Sequence, residues 1–364
     1  MENAQRGGRR RRRPRQSDIA RVAGVSQTTV SLVLRGTTIG MSLAAETRQR
    51  VLDAAERLGY VPDPVATRLA AAGNAMLGLY TFSATFPTDV AHSYYPILAG
   101  VEEEAAAQGQ DLILFTGSSR SGTGAGDPAS LRRVRVADGC LFFGRHVPDE
   151  PIRQLAEDGF PFVYIGRRNE PDVPYVGADY VSASAAVLAG LAAAGHRRVR
   201  YLREHDQAPS SADREEGVLR GARSTGTETA GLVVRTDGTG LNGLLASWLD
   251  DGVTAVVVEQ TDTGAALAGL GAAIERAGLR CPRDLSLAVL GAPVGARGRA
   301  PGGGAVFSGF DVPMREMGRD AVRLLLRLIE GAEGVETRRL LPCEPVDGGT
   351  IAPPRPPGRD PRRE

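Results

Sequence analysis

The sequence predicts a small all-α helix-turn-helix head followed by an α/β body of two doubly wound parallel-sheet lobes. Three observations carry this reading. Short helical segments with a 3.6-residue apolar period fill residues 16–61, and strands alternate with helices from residue 76 onward. That alternation runs for roughly 290 residues, which is long for one doubly wound unit.

Residues 1–15 hold Arg6, Arg9 to Arg13 and Arg15 among Gly and Pro, with nothing apolar enough to fold, and read as a disordered arm. Ser17 or Asp18 is placed to cap a first helix with Ile19, Val22 and Ala23 on its apolar face, and Gly24 to end it. Ser26 caps a second helix, 27–34, with Val30, Val33 and Leu34 at buried spacing. Two short helices about a Gly turn make a helix-turn-helix. Residues 47–58 form a third helix, because Val51, Leu52, Ala55 and Leu58 keep the helical period. Pro62 and Pro64 then open a hinge, 62–75.

In the body, strands are expected at 76–82, 112–115, 139–143 and 162–165, with helices at 95–108 and 152–158. The pattern restarts with a helix at 183–194, strands at 199–202, 232–235, 255–258 and 285–290, and helices near 215–223, 241–250, 265–277 and 317–330. Trp248 falls on an apolar helical face and reads as core. These elements assign 76–178 and 308–340 to a first lobe, 179–307 and 341–352 to a second, and 353–364 to a Pro-rich disordered tail.

All 44 basic groups are Arg, so mechanisms that need a lysine amine are excluded. The net charge of +1 hides an asymmetry: thirteen Arg against six acids up to Gly73 give +7, leaving −6 for the remainder. A basic head on an acidic body is expected where the head meets a polyanion and the body does not. The three cysteines lie far apart and the four histidines form no ligand pattern, which argues against a disulfide framework and a zinc site. With no signal-peptide core and no run of about 18 apolar residues, a cytoplasmic location without membrane attachment is expected.

The segment from Ser17 to Gly36, SDIARVAGVSQTTVSLVLRG, resembles the DNA-binding head of the lac repressor (LacI) family of bacterial transcription regulators. Residues 46–62, ETRQRVLDAAERLGYVP, match that family's third helix and its Leu-Gly-Tyr-x-Pro end. The likeness continues through Val136-Ala-Asp-Gly139, Ala194-Gly-His-Arg-Arg198, Pro282-Arg-Asp-Leu-Ser286 and the stretch from Met317 to Leu325, covering roughly residues 16–355. It implies a homodimer on a palindromic double-stranded operator, each head laying its second helix in the major groove while the hinges pair in the minor groove. It further implies a body like periplasmic sugar-binding proteins, whose small-molecule effector, a sugar by default, controls operator affinity without any cofactor.

Gln27 and Thr28 stand at the exposed start of the second helix, where Gln can pair with adenine, and are the leading base readers. Leu32 falls at a third base-reading position where the family often carries Arg; it can touch a thymine methyl and cannot bond guanine. Ser26, Thr29 and Ser31 offer hydroxyls to phosphates, and Arg21 and Arg35 offer charge. Leu69, after Val65 and Ala66, aligns with the hinge leucine that wedges into the minor groove. In the body, Arg214 matches the cleft-lining Arg-x-x-Gly, Asp179 a cleft-edge acid, and Tyr94 and Tyr95 the aromatic pair before the first long helix. The later acid is Asp262 or Glu259, because Glu259-Gln-Thr-Asp262 departs from the usual Asn-Asp, and Leu290-Gly-Ala-Pro293 lacks the acids common in the next cleft wall.

Two other classes compete with a regulator. A sugar-binding protein without a gene-regulatory role is disfavoured by the basic head. An enzyme using the Gly-rich stretch 117–126 for a nucleotide is disfavoured because that stretch does not fit Gly-x-Gly-x-x-Gly, and no nucleophile-base set can be assembled, so a non-enzyme is expected.

Overall fold

The structure, a computed structural model, describes residues 14–34, 43–60, 74–81, 94–115, 131–144, 149–261, 263–291, 300–301 and 305–355. It divides into two compact units, Met1–Asn74 and Ala75–Glu364.

In the first unit α1 (Gln16–Ala23) and α2 (Gln27–Leu34) meet at a turn where Gly24 has a φ of +66°, the left-handed conformation that lets its N–H reach Ala20 O. With α3 (Ala45–Leu58) they enclose Ile19, Ala23, Val30, Val33, Val51, Ala54 and Ala55. Ser26 caps α2, its Oγ accepting the Thr29 N–H at 3.1 Å. The cap of α1 differs from expectation: Arg15 is the N-cap residue, and Asp18 accepts the Arg15 N–H at 2.9 Å from inside the first turn. Val22 and Leu52 are also not core, at 45% and 42% exposed, because such a small bundle buries only one stripe of each helix.

The second unit holds two six-stranded sheets. The first has the order β11-β5-β4-β3-β1-β2, built from β1 (Met76–Thr81), β2 (Asp111–Phe115), β3 (Gly139–Phe143), β4 (Phe162–Ile165), β5 (Tyr175–Ala178) and β11 (Arg338–Leu341). The second has the order β12-β10-β9-β8-β6-β7, from β6 (Val199–Glu204), β7 (Val233–Thr236), β8 (Ala255–Glu259), β9 (Ser286–Leu290), β10 (Ser308–Asp311) and β12 (Glu344–Val346). All pairings are parallel except β10 with β12.

Helices cover both faces of each sheet, which is why the strands read as apolar runs. On the first sheet α4 (Tyr94–Ala107) and α10 (Met314–Ile329) lie over Leu77 and Leu79, and α5 (Asp149–Glu157) lies over Tyr80, Phe142 and Phe162. On the second, β8 alternates: Ala255 and Val257 meet α6 (Tyr180–Ala193) and α7 (Pro209–Thr225), while Val256 and Val258 meet α8 (Leu241–Asp250) and α9 (Ala265–Arg276). Trp248 is in that second core, as its helical face implies. Gly318 of α10 lies so near α4 that a Cβ there would stand 2.5 Å from Ile97 O.

Four strands, β5, β10, β11 and β12, are absent from the sequence reading. They hold three or four residues each, too few to show a period, and exist by pairing with longer neighbours. One of them corrects a boundary: β10 pairs with β9, so residues 308–311 belong to the second lobe and the chain returns to the first only at α10. The chain passes between lobes three times, after β5, β10 and β11, and two of these passages are tied where Asp179 N–H donates to Leu341 O at 2.8 Å. The arm through residue 13, residues 62–73 of the hinge, the Gly-rich stretch and the tail beyond 355 lie outside the described residues. No helix among the described residues is long and apolar enough to cross a membrane.

His196, buried just before β6, donates from Nε2 to Ala352 O (3.0 Å), and its Nδ1 is 2.8 Å from Thr254 Oγ1. Burial holds its pKa below the ordinary 6.5, partly offset by the bond to Ala352. A lowered histidine pKa means the unfolded chain binds the proton first, so stability is present above about pH 6.5 and declines below it. Thermal unfolding between pH 7.5 and 5.5 should show that decline, and His196→Asn should flatten it; an equal acid slope in the variant would place the effect elsewhere.

Candidate functional site

Residues that follow β3, β4, β8 and β9 line one cavity of about 120 Å³ between the lobes: Gly144, Gly166, Gln260 and Gly291. Tyr94 and Ile97 of α4, Tyr180 of α6, Ser210 and Arg214 of α7, and Met314 and Met317 of α10 complete it. A crevice at the carboxyl ends of parallel strands is where doubly wound sheets take ligands.

Arg214, which the motif assigns to the cleft, lines this cavity. It is 4% exposed, and its guanidinium carbon sits 3.9 Å from the centroid of the Tyr180 ring. Nη1 donates to Ser210 O (3.3 Å) and lies 3.5 Å from Glu259 Oε1, while Nε has no hydrogen-bond partner among the described residues. Gln260, 8% exposed, lies on the same wall; its Nε2 donates to Thr261 O at 2.9 Å and its Oε1 has no partner among the described residues.

Tyr94 lines the cavity, its ring 5.2 Å from that of Phe143. Tyr95 does not: it is 46% exposed on another face of α4, since adjacent helical residues point about 100° apart. Asp179 is the N-cap of α6, accepting the Ser182 N–H at 2.9 Å, and does not line the cavity. Glu259 is fully buried on the face of β8 shared with Ala255 and Val257, where it accepts from the Tyr201 hydroxyl (3.2 Å) and from Ser211. It holds Arg214 from behind and does not line the cavity. Burial, with the Glu259 charge beside it, pushes the Tyr201 hydroxyl well above its ordinary pKa. Asp262 lies outside the described residues. Strand parity predicts the exchange: the last strand residue points into the layer below, and the first loop residue, Gln260, takes the mouth.

Two cavity arginines escaped the sequence reading because their partners are remote or local in ways no motif shows. Arg167, beyond β4, makes two bonds of 2.6 Å to Asp213 of α7, and so spans both lobes. Arg168, 5% exposed, bonds Glu170 at 3.0 and 2.7 Å and lies over the Tyr164 ring at 5.1 Å. The Tyr164 hydroxyl donates to Gly144 O, and burial raises its pKa.

On the head, Gln27 and Thr28 are exposed at the start of α2, and Ser31 and Leu32 are half-buried one turn on. The Ser26 and Thr29 hydroxyls bond each other at 2.8 Å, and Arg21 pairs with Asp18 at 2.7 Å. Arg35, Val65, Ala66 and Leu69 lie outside the described residues.

Residues 17–63 match the family described as bacterial regulatory proteins, lacI family, and residues 188–351 match the periplasmic binding protein-like domain. The chain is 29% identical over 343 residues to the HTH-type transcriptional regulator CelR of Thermobifida fusca, covering 91% of this chain and 96% of that protein. It is 32% identical over 290 residues to an uncharacterised HTH-type transcriptional regulator of Streptomyces limosus, covering 75% and 77%. Among solved structures, the transcriptional regulator CelR in complex with cellobiose superposes with a TM-score of 0.60 at 26% identity, covering 93% of this chain and 100% of the other.

Proposed function

The chain belongs to the lacI family of bacterial regulatory proteins, and on that premise we propose that it is a repressor whose operator affinity is set by a sugar in the cavity between the lobes. It is a DNA-binding transcriptional regulator. The observation that carries the effector part is the cavity between the lobes, lined by Arg214, Gln260 and Tyr94. The cellobiose complex of the CelR relative supports a carbohydrate there.

In this reading two chains meet a palindromic operator. Gln27, Thr28 and Leu32 read bases, Ser26, Thr29, Ser31, Arg21 and Arg35 hold phosphates, and Val65, Ala66 and Leu69 enter the minor groove. The effector closes or opens the lobes about the three chain passages, and the Arg167–Asp213 pair is the contact that such a motion must remake. The chain performs no chemistry on its ligand.

Selection of bound sequences from a random duplex library, with and without a sugar panel, tests the whole reading. A palindromic site gained or lost with one sugar is the expected result, and purely nonspecific binding would overturn it. On the selected site Gln27→Ala should lose about 1–3 kcal/mol of discrimination at one base pair. Uniform weakening on every sequence would make Gln27 a phosphate contact instead.

A further inference from the structure

We infer that the Arg167–Asp213 pair is a latch that holds the two lobes closed before any effector binds, so that the effector meets a cleft already biased toward its closed form. This rests on the reading that lobe closure controls operator affinity, and it adds what sets the resting state. Arg167 stands in the segment after β4 of the first lobe, and Asp213 on α7 of the second. Nε and Nη2 of Arg167 each donate to one Asp213 oxygen at 2.6 Å, a two-pronged fit that fixes angle as well as distance. The side chains are 24% and 7% exposed, so water screens this pair less than a surface bridge.

Each end is held in place by its own lobe. The Gly166 N–H donates to Val176 O at 2.8 Å, and a Cβ on Gly177 would stand 3.0 Å from Arg167 N, so β5 carries the Arg167 backbone. Asn169 Oδ1 accepts from Arg167 Nη1 at 2.8 Å, which aims the guanidinium. Asp213 is fixed through α7, which lies so near α6 that a Cβ on Gly221 would stand 2.8 Å from Ala185 O. Ends that are already ordered lose little entropy when they join. The Asp213 hydrogen bonds hold the Arg167 pKa above its ordinary value despite burial, and the charge of Glu216, one turn further along α7, acts in the same direction. The neighbouring cations are engaged elsewhere: Arg168 bonds Glu170, and Arg214 lies over the Tyr180 ring.

Opening the cleft must break this pair. The backbone tie from Asp179 N–H to Leu341 O, at 2.8 Å, lies on the chain passages and can turn with them, whereas the latch joins the body of one lobe to that of the other. A charged pair with two bonds and this exposure favours the closed state by about tenfold. Arg167 also lines the cavity, so the bias acts at the wall that a ligand meets. A ligand that needs the closed form binds more tightly in proportion to the fraction already closed, and linkage passes the same bias to the operator form that closure favours.

The test needs no effector. Met317 lines the cavity at 4% exposure, and its thioether oxidises once the cleft opens to water. Hydroxyl-radical footprinting of the full chain, read by mass spectrometry, should show Met317 oxidised about tenfold faster in Arg167→Gln and in Asp213→Asn. Met76, at the start of β1, is the internal control and should not change. Because each change breaks the same contact, the double variant should go no further than either single one. Asp213→Asn is nearly isosteric and carries the test if Arg167→Gln misfolds, which a rise in Met76 oxidation would reveal. Unchanged Met317 oxidation in the folded variants, or two effects that multiply in the double variant, overturns the latch. Effector-free affinity for the selected operator should move in one direction in both single variants and return no further in the double. A Met317 response with operator affinity unmoved leaves the latch standing and defeats the reading that lobe closure controls the operator.

Discussion

Raising salt from 50 to 200 mM is expected to weaken operator binding by about 1,000-fold or more, the range for proteins that neutralise six to ten phosphates. The head carries the charge for this: +7 up to Gly73, on a remainder of −6. Each Arg that meets a phosphate releases counterions, so the logarithm of affinity falls linearly with that of salt at about 0.9 per contact. The acidic body cannot substitute for it. Deleting residues 1–15, which hold seven of the thirteen head arginines, should flatten the slope and weaken all sequences alike. Fluorescence anisotropy over a salt series measures both. An unchanged slope in the deletion would remove the arm from the contact surface, and a slope near zero in the full chain would defeat the electrostatic reading of the head.

Arg203→Ala is the substitution expected to harm folding most, by about 3–5 kcal/mol, the cost of removing one partner from a buried charge pair. Arg203 is 2% exposed on β6, between Glu215 at 2.6 Å and Glu259 at 3.6 Å, and it donates to the carbonyls of Ser211 and Asp206. Its loss leaves Glu259 buried beside Arg214 and frees two carbonyls under α7. Burying a charge is tolerable only while its partners stay in place. Urea unfolding followed by circular dichroism reads the loss. Arg203→Met combined with Glu259→Gln removes both charges but strips the buried Arg214 of its carboxylate, so it should recover only part of the loss. A loss under about 1 kcal/mol in the single variant would mean that water reaches the site and that these pairs contribute little.

The same residues show why part of the site was readable and part was not. Arg214 announced itself because its motif is local, three residues before Gly217 on one helix. Glu259 drew notice only as an acid near the end of a strand, and β8 turns it to the interior beneath Tyr201. Gln260, a neutral residue beside it, holds the cavity position. Tyr94 and Tyr95 looked equivalent in sequence, and the step of about 100° between neighbouring residues of α4 separated them. Arg167 and Asp213 lie far apart along the chain and meet only because two lobes close on each other.

By itself the sequence determined the helix-turn-helix, the alternation of strands and helices, the charge asymmetry and Arg214, since each depends on residues within one turn, one strand or one motif. Tertiary structure alone decided the short strands β5, β10, β11 and β12, the return of the chain after residue 311 and which side chains line the cavity. These depend on pairing between segments remote in sequence and on which face of a strand meets which helix, and such energies exist only once the sheets have formed.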